Sequence, residues 1–177
     1  GYCLRSDRHV QIMLRTVAGP LLMDGVHGPT DISNSGDKKK FYRGLRKSVR
    51  EGPRPWMRLL VGDWNVRWHA CLSPEKGRLG NFGLGRGDRY LANLPSHENI
   101  DLLWDFMVEE DFIDLNSRFD LPFHLMYSYR ELSTPEGAKR NPETHASLDR
   151  ALTRPEHVHN IVSVKVVPKV LSGSHHV

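Results

Sequence analysis

An acid and an amide, Asp63 and Asn65, directly follow the apolar residues 59–62 in the stretch LLVGDWN. Residues two apart on an extended segment point to the same side, so both side chains can face one ligand while Trp64 points the other way into packing. Mg²⁺ takes oxygen ligands, including one or two carboxylates, and a phosphate can complete its shell. The pair has the chemistry of a phosphate site, but on its own it is more often a turn that closes a strand.

Strands must position this pair, and apolar runs bounded by Gly or Pro predict where they lie. The first two are expected at residues 10–17 and 21–26, and the strand that leads into Asp63 at 57–62. Two more are expected near 145–153 and 160–170. A further short strand is expected in FIDLN, after the second helix.

Helical spacing predicts two helices. A basic one starts near Asp37, with Ser35 or Asp37 as its cap, and ends at Gly52. A second spans about 99–111, with Asn99 as its cap. The predicted apolar stripes are Phe41, Leu45 and Val49 on the first helix, and Leu102, Leu103, Phe106 and Met107 on the second.

Residues 66–97 are rich in Gly, Arg and His, and we expect a long surface loop there. Trp68, beside His69, is the tryptophan that we expect to be exposed to solvent and able to stack on a base. The order of strands and helices favours a layered α/β sandwich over a doubly wound sheet, in one domain that spans 1–177.

Composition favours a polyanionic partner. Lys and Arg exceed Asp and Glu, which gives a formal net charge of +4, and 10 His add positive charge in mild acid. Charge on the outer face of the basic helix can contact phosphates, although such a face is more often simply solvated. The spacing of Cys3 and Cys71 indicates neither a disulfide framework nor a zinc site, so we expect a reducing compartment. No stretch approaches the roughly 20 apolar residues of a membrane-spanning helix, so we also expect no membrane span.

Several segments, taken together, resemble the endonuclease/exonuclease/phosphatase superfamily in order and spacing. The resemblance is strongest to the endonuclease domains of non-LTR retrotransposons and to their domesticated relatives of the craniofacial development protein type. It covers residues 24–177 and implies a DNase I-like sandwich of two sheets flanked by helices. The segments are VHGPTD, KKKFYRGLRKSVRE, LLVGDWN, NFGLGRGD, LLWDFMVEEDFIDLNSRF, YSYR, SLDRALT and GSHHV.

The resemblance implies a catalytic role for each residue that matches a family motif. Asp63 orients or activates the attacking water, and Asn65 contacts the phosphate. Asp149 orients the catalytic histidine, which falls on His176 next to the scissile phosphate. An Asp that holds a protonated His beside a phosphodiester stabilises the charge of the transition state.

The resemblance also implies substrate contacts, a cofactor and a partner. His27 stands where the family has a Tyr near the phosphate, and Tyr129 stands where an aromatic residue helps to hold DNA. The implied metal is Mg²⁺, or Mn²⁺ where His175 replaces a carboxylate. The implied partner is DNA, so we expect an intracellular, nuclear protein.

Departures from the family pattern predict an incomplete site. The chain starts after the positions of the family's early Asn and of its Glu, a principal metal ligand, and Ser174-His175-His176 stands where the family has Ser-Asp-His. We therefore expect a fold that is incomplete at its N-terminus, with Asp63 as the main charged metal ligand.

Three functions are weighed on this basis. The first is a metal-dependent endonuclease of the retrotransposon type. The second is a degenerate remnant that binds nucleic acid or protein without cleavage. The third, a phosphatase for a small molecule or lipid head group, is disfavoured by the aromatic YSYR segment and by the basic balance.

Overall fold

The computed structural model describes residues 1–68, 77–82, 97–130 and 145–166. Two helices, two short 3₁₀ helices and eight strands are assigned in these ranges. The strands are β1 (Tyr2–Ser6), β2 (His9–Thr16), β3 (Gly19–His27), β4 (Met57–Asp63), β5 (Ile113–Asp114), β6 (Tyr129–Arg130), β7 (His145–Ala146) and β8 (Asp149–Thr153). The helices are α1 (Ser35–Glu51) and α2 (Glu98–Glu109), and the 3₁₀ helices are Phe123–Leu125 and Pro155–Asn160.

Six strands form one mixed sheet in the order β1-β2-β3-β4-β8-β5. Strands β3 and β4 are parallel, with α1 as the connection between them, and the other neighbours are antiparallel. Strands β6 and β7 pair separately. Neither helix in the described part of the chain has the length and hydropathy of a membrane-spanning segment.

One face of the sheet carries the hydrophobic core. Val26 of β3, Leu60 of β4 and Leu152 of β8 belong to one buried cluster with side chains of α1 and α2. The members from the two helices are Tyr42, Leu45, Val49, Ile100, Leu103, Phe106 and Met107. Burial of this apolar surface holds both helices on the same face of the sheet.

The opposite face of the sheet is apolar but open. Tyr2 and Leu4 of β1 are 82% and 70% exposed. They lie across from Ile12 and Val10 of β2, and Ile12 is itself exposed. A contiguous exposed apolar surface of this kind is unusual on a soluble monomer.

Helix α1 begins two residues earlier than predicted. Its cap is Asn34, whose side chain accepts the N–H of Asp37, rather than Ser35 or Asp37. Leu45 and Val49 are buried as expected, but the most deeply buried aromatic side chain is Tyr42, and Phe41 is only partly buried. The stripe was placed one residue off because Phe41 and Tyr42 are adjacent and both can pack.

The prediction for α2 was correct in place but wrong about Asn99. The helix starts at Glu98, so Asn99 lies inside the first turn, where it is fully buried. Leu103, Phe106 and Met107 are buried as predicted, whereas Leu102 is only partly buried.

The strand predicted at 160–170 is wrong where it is described. Residues 155–160 form a 3₁₀ helix that Pro155 can start, because the first helical position needs no N–H donor. Residues 161–166 are irregular, and 167–170 lie outside the described residues. Strand β1 was missed because all five of its residues are exposed and show no alternation.

The strand predicted at 145–153 is interrupted. Its two ends form β7 and β8, and Ser147 and Leu148 between them belong to neither strand. FIDLN contributes only the two residues of β5. The exit from β4 is buried rather than a surface loop, since Val66, Arg67 and Trp68 are all buried.

Gly62 allows β3 and β4 to pair closely just before Asp63. It has a φ of +144°, and an added Cβ would lie 1.9 Å from the carbonyl oxygen of Val26. No side chain fits there without separating the strands. Gly44 of α1 is the opposite case, since an added Cβ would meet nothing within 4 Å.

We predict that Gly62→Ala lowers the free energy of unfolding by about 2–4 kcal/mol, from overpacking and backbone strain. Gly44→Ala is the matched control and should raise it by about 0.5–1 kcal/mol, because alanine favours the helix. Urea denaturation of both variants measures these changes. Equal stability of the two variants would contradict the close approach.

Candidate functional site

Three polar side chains form a row across β3, β4 and β8, at the end of β3 and β4 and at the start of β8. His27 and Asp63 are Cα partners across β3 and β4, and Asp63 and Asp149 are Cα partners across β4 and β8. Directly opposed residues on paired strands point to the same face of a sheet. The structure therefore brings together one imidazole and two carboxylates that the sequence analysis had selected separately.

The row opens to solvent at its histidine end. The Nε2 of His27 lies 3.9 Å from Oδ2 of Asp63, and the side chains are 63% and 17% exposed, respectively. Oδ1 of Asp63 accepts the backbone N–H of Asn65 at 2.8 Å. Asp63 thus closes a turn with Oδ1 and faces His27 with Oδ2, and its predicted role at a phosphate stays a prediction.

Asn65 positions the loop that follows His27. It adopts a left-handed backbone with a φ of 51°, which Asn tolerates better than most residues. Its Nδ2 donates to the carbonyl oxygen of Gly28 at 3.0 Å, and the N–H of Gly28 donates to the Asp63 carbonyl at 2.6 Å. The predicted contact of Asn65 with a phosphate stays a prediction.

Asn99 bonds to both the loop that follows His27 and the loop that follows Asp63. Its Nδ2 donates to the carbonyl oxygens of Pro29 at 2.8 Å and Asn65 at 3.4 Å. The hydroxyl of Tyr42 donates to the Asn99 carbonyl groups, and burial raises the pKa of Tyr42, so the hydroxyl keeps its proton. The sequence analysis missed this role because an Asn near a helix start is ordinarily a cap.

Asp149 is held at the start of β8 by two neighbours. The hydroxyl of the buried Ser128 accepts the N–H of Asp149 at 2.9 Å, and Nδ2 of Asn116 donates to its carbonyl at 3.1 Å. Tyr129 directly follows Ser128, and the guanidinium of Arg67 lies 5.2 Å from the centre of its ring. Tyr129 is therefore next in sequence to a residue that bonds to Asp149. Its predicted contact with DNA stays a prediction.

The prediction that Trp68 is a wet base-stacking residue is wrong. Trp68 is only 4% exposed, and its Nε1 donates to Oδ2 of Asp114 at 2.7 Å. The guanidinium of Arg150 covers its ring at 5.1 Å from the centre. A ring enclosed in this way offers no face to a base.

The row matches part of the ligand set of a divalent cation. Asp63 and Asp149 supply two carboxylates on one face, and Mg²⁺ is commonly held by one or two carboxylates with water and phosphate oxygens. Within the described ranges, no group of three or more His, Cys, Asp and Glu could hold a metal. His175 and His176, predicted as metal ligand and catalytic residue, lie outside the described residues.

Solved structures share this fold. The endonuclease domain of TRAS1, a telomere-specific non-LTR retrotransposon, aligns with a TM-score of 0.59 and 11% identity over 97% of this chain and 59% of that chain. AP endonuclease LMAP from Leishmania major aligns with a TM-score of 0.62 and 13% identity over 96% and 52%. The chain thus has the DNase I-like fold of endonuclease/exonuclease/phosphatase-type proteins, and the predicted fold class is confirmed.

Particular relatives are found by sequence. Craniofacial development protein 2 of Bos taurus is 24% identical over 176 residues, which is 99% of this chain and 26% of that protein. The protein of the same name from Tragulus javanicus is 24% identical over 176 residues and is covered to 27%. The chain therefore spans about a quarter of the curated relatives it matches. No protein-family model matches the chain.

We predict that Asn99→Ala loosens the edge of the sheet that carries the row. The carbonyls of Pro29 and Asn65 lose a buried donor, which should lower the free energy of unfolding by about 1–3 kcal/mol. Hydrogen exchange at the amides of Gly28 and Asn65 should become faster. The control is Asn160→Ala at an exposed position, where we expect a change within about 0.5 kcal/mol. Unchanged exchange at both amides would rule out the positioning role.

Proposed function

We propose that this chain carries the phosphodiester site of a metal-dependent DNA endonuclease of the retrotransposon type. The single observation that carries the proposal is the row of His27, Asp63 and Asp149 in register on three paired strands. Two carboxylates beside an exposed imidazole suit a phosphate with a bound cation better than they suit a neutral ligand.

The residues of the row act together with Asn65 and His176 in this proposal. Oδ2 of Asp63 orients the attacking water or accepts a proton from it. Oδ1 keeps its hydrogen bond from the backbone N–H of Asn65. His27 and the amide of Asn65 donate to the phosphate oxygens. Asp149 fixes His176, which stabilises the developing charge. Asp63 and Asp149 would also hold a divalent cation, which when bound would polarise the phosphate as a Lewis acid.

Three observations support DNA as the substrate. The formal net charge of +4 favours a polyanion. The exposed face of α1 adds Lys39, Lys40, Arg43 and Lys47. A further protein of this fold, the 3′ phosphatase NExo from Neisseria, was solved with a product DNA hairpin and aligns with a TM-score of 0.53 and 15% identity. On this basis we also propose a nuclear location.

A second candidate function is DNA binding without cleavage. It is favoured by the small number of charged ligands, since the described part of the row offers only Asp63 and Asp149 as carboxylates. Mg²⁺ loses its water reluctantly and binds weakly where few anionic ligands replace it. Under this candidate the row still contacts phosphate, and the basic surface supplies most of the affinity.

Nicking of supercoiled plasmid by the purified chain tests the two candidates. With Mg²⁺ or Mn²⁺, we expect nicking that falls at least about 100-fold in Asp63→Asn and in His176→Ala, since each variant removes an acid–base or charge-stabilising group. Asp105→Asn is the control of matched charge change, because Asp105 is exposed in the middle of α2. It should nick as the parent chain does.

Fluorescence anisotropy with labelled duplex DNA separates the remaining outcomes. A folded chain that binds DNA but nicks with neither cation favours the second candidate. Nicking that survives in Asp63→Asn and in Asp149→Asn would overturn the assignment of the row, whichever cation is present.

A further inference from the structure

A polar cavity of about 550 Å³ lies at the opposite end of the sheet from the row. It opens where β4 begins and β8 ends, so the length of β4, on the order of 20 Å, separates it from Asp63. Its volume is in the range of small-ligand pockets. Its lining includes the segment 53–56, Arg58, Arg154 and His157.

Positive charge dominates the cavity, and only part of that charge is paired with a carboxylate in the described ranges. Four arginines line it against two glutamates. Arg50 pairs with Glu110 at 2.6 Å, and the buried Arg58 lies 3.3 Å from Asp24. Arg54 and Arg154 are exposed, and neither side chain has a hydrogen bond or ion pair with any residue in the described ranges.

Prolines restrict the backbone at Arg54 and Arg154. Arg54 lies between Pro53 and Pro55, whose rings fix their own φ and restrict the preceding residue to extended conformations. Arg154 precedes Pro155 and is extended, with φ −78° and ψ 150°. Because the backbone at both positions is already restricted, less entropy is lost when a ligand is bound.

An aromatic wall completes the cavity. Trp56 is 38% exposed, and its ring centre lies 5.7 Å from that of His157 at an interplanar angle of 50°. A partly exposed indole beside guanidinium groups is the arrangement on which nucleotide bases stack.

The cationic groups also affect one another. Burial lowers the pKa of Arg58, Asp24 counteracts that effect, and the charge of Arg154 lowers the pKa further. The guanidinium groups of Arg58 and Arg154 therefore repel each other in the free protein. An anion bound between them relieves that repulsion.

We propose that this cavity binds a nucleotide unit, with a phosphate between Arg54 and Arg154 and the base against Trp56. The unit is either a free nucleotide or part of a single strand, since the shared chemistry is a phosphate beside an aromatic base. This site does not depend on the row, and it takes its ligand whether or not the row cleaves DNA.

Isothermal titration calorimetry with adenosine monophosphate, a short single-stranded oligonucleotide and inorganic phosphate tests the proposal. The titrations use the chain with Asp63→Asn and Asp149→Asn, so that the row contributes neither cleavage nor its full binding. Adding Arg54→Gln and Arg154→Gln should weaken nucleotide binding at least about tenfold, since two charge-assisted contacts are lost. Trp56→Leu should weaken binding of the nucleotide but not of inorganic phosphate.

Arg15→Gln with Lys165→Gln is the matched control, because both side chains are exposed, lie outside the cavity and change the net charge equally. Thermal melting checks that every variant is folded. Equal nucleotide affinity in the two double variants would overturn the proposal, as would adenosine monophosphate that binds no tighter than inorganic phosphate. Tighter binding of the oligonucleotide, lost in the same variants, identifies the source as a strand, and equal binding identifies a free nucleotide.

Discussion

The buried ion pair of Asp114 and Arg150 is the constraint on which the arrangement of the site depends. Their side chains meet at 2.7 Å with almost no exposure, and Trp68 donates to the same carboxylate oxygen. Burial lowers the pKa of Arg150, and Asp114 counteracts this effect. Arg150 also donates to the carbonyl of Val66. One ion pair thus joins β5, β8 and the chain that leaves Asp63, and an unpaired charge in its place costs several kcal/mol.

Strand pairing, rather than side-chain reach, creates the row. The register that opposes His27 to Asp63 also opposes Asp63 to Asp149, so the three side chains share a face without a dedicated scaffold. Gly62 makes the pairing close enough, and Asn99 ties the loops that follow two of the strands. A one-residue slip of β4 would turn Asp63 to the other face. Stability of the sheet and integrity of the site are therefore coupled.

The sequence predicted what local patterns determine. Strands β2, β3 and β4 and both helices were found because their apolar residues follow periods of two or of 3.6, and Asp63 was singled out because it ends a buried strand. Trp68 was misplaced because the polar carboxylate that buries its N–H lies 46 residues away. The role of Asn99 and the separation of β7 from β8 likewise depend on distant partners, Pro29 and Ser128. Local patterns carry no information about contacts of that kind.

Solvent exposure at the row weakens the electrostatic interactions of its charged groups. A carboxylate in contact with bulk water interacts with a nearby charge several times more weakly than one in a dry site, because water screens the field. His27 is mostly exposed, and the sheet face that leads away from it carries the open apolar side chains of β1 and β2. The exposure of this face therefore leaves apolar surface in water and weakens the electrostatic interactions of the row. A layer packed on that face would reduce both effects at once, because it would remove water from the apolar side chains and from the charges of the row.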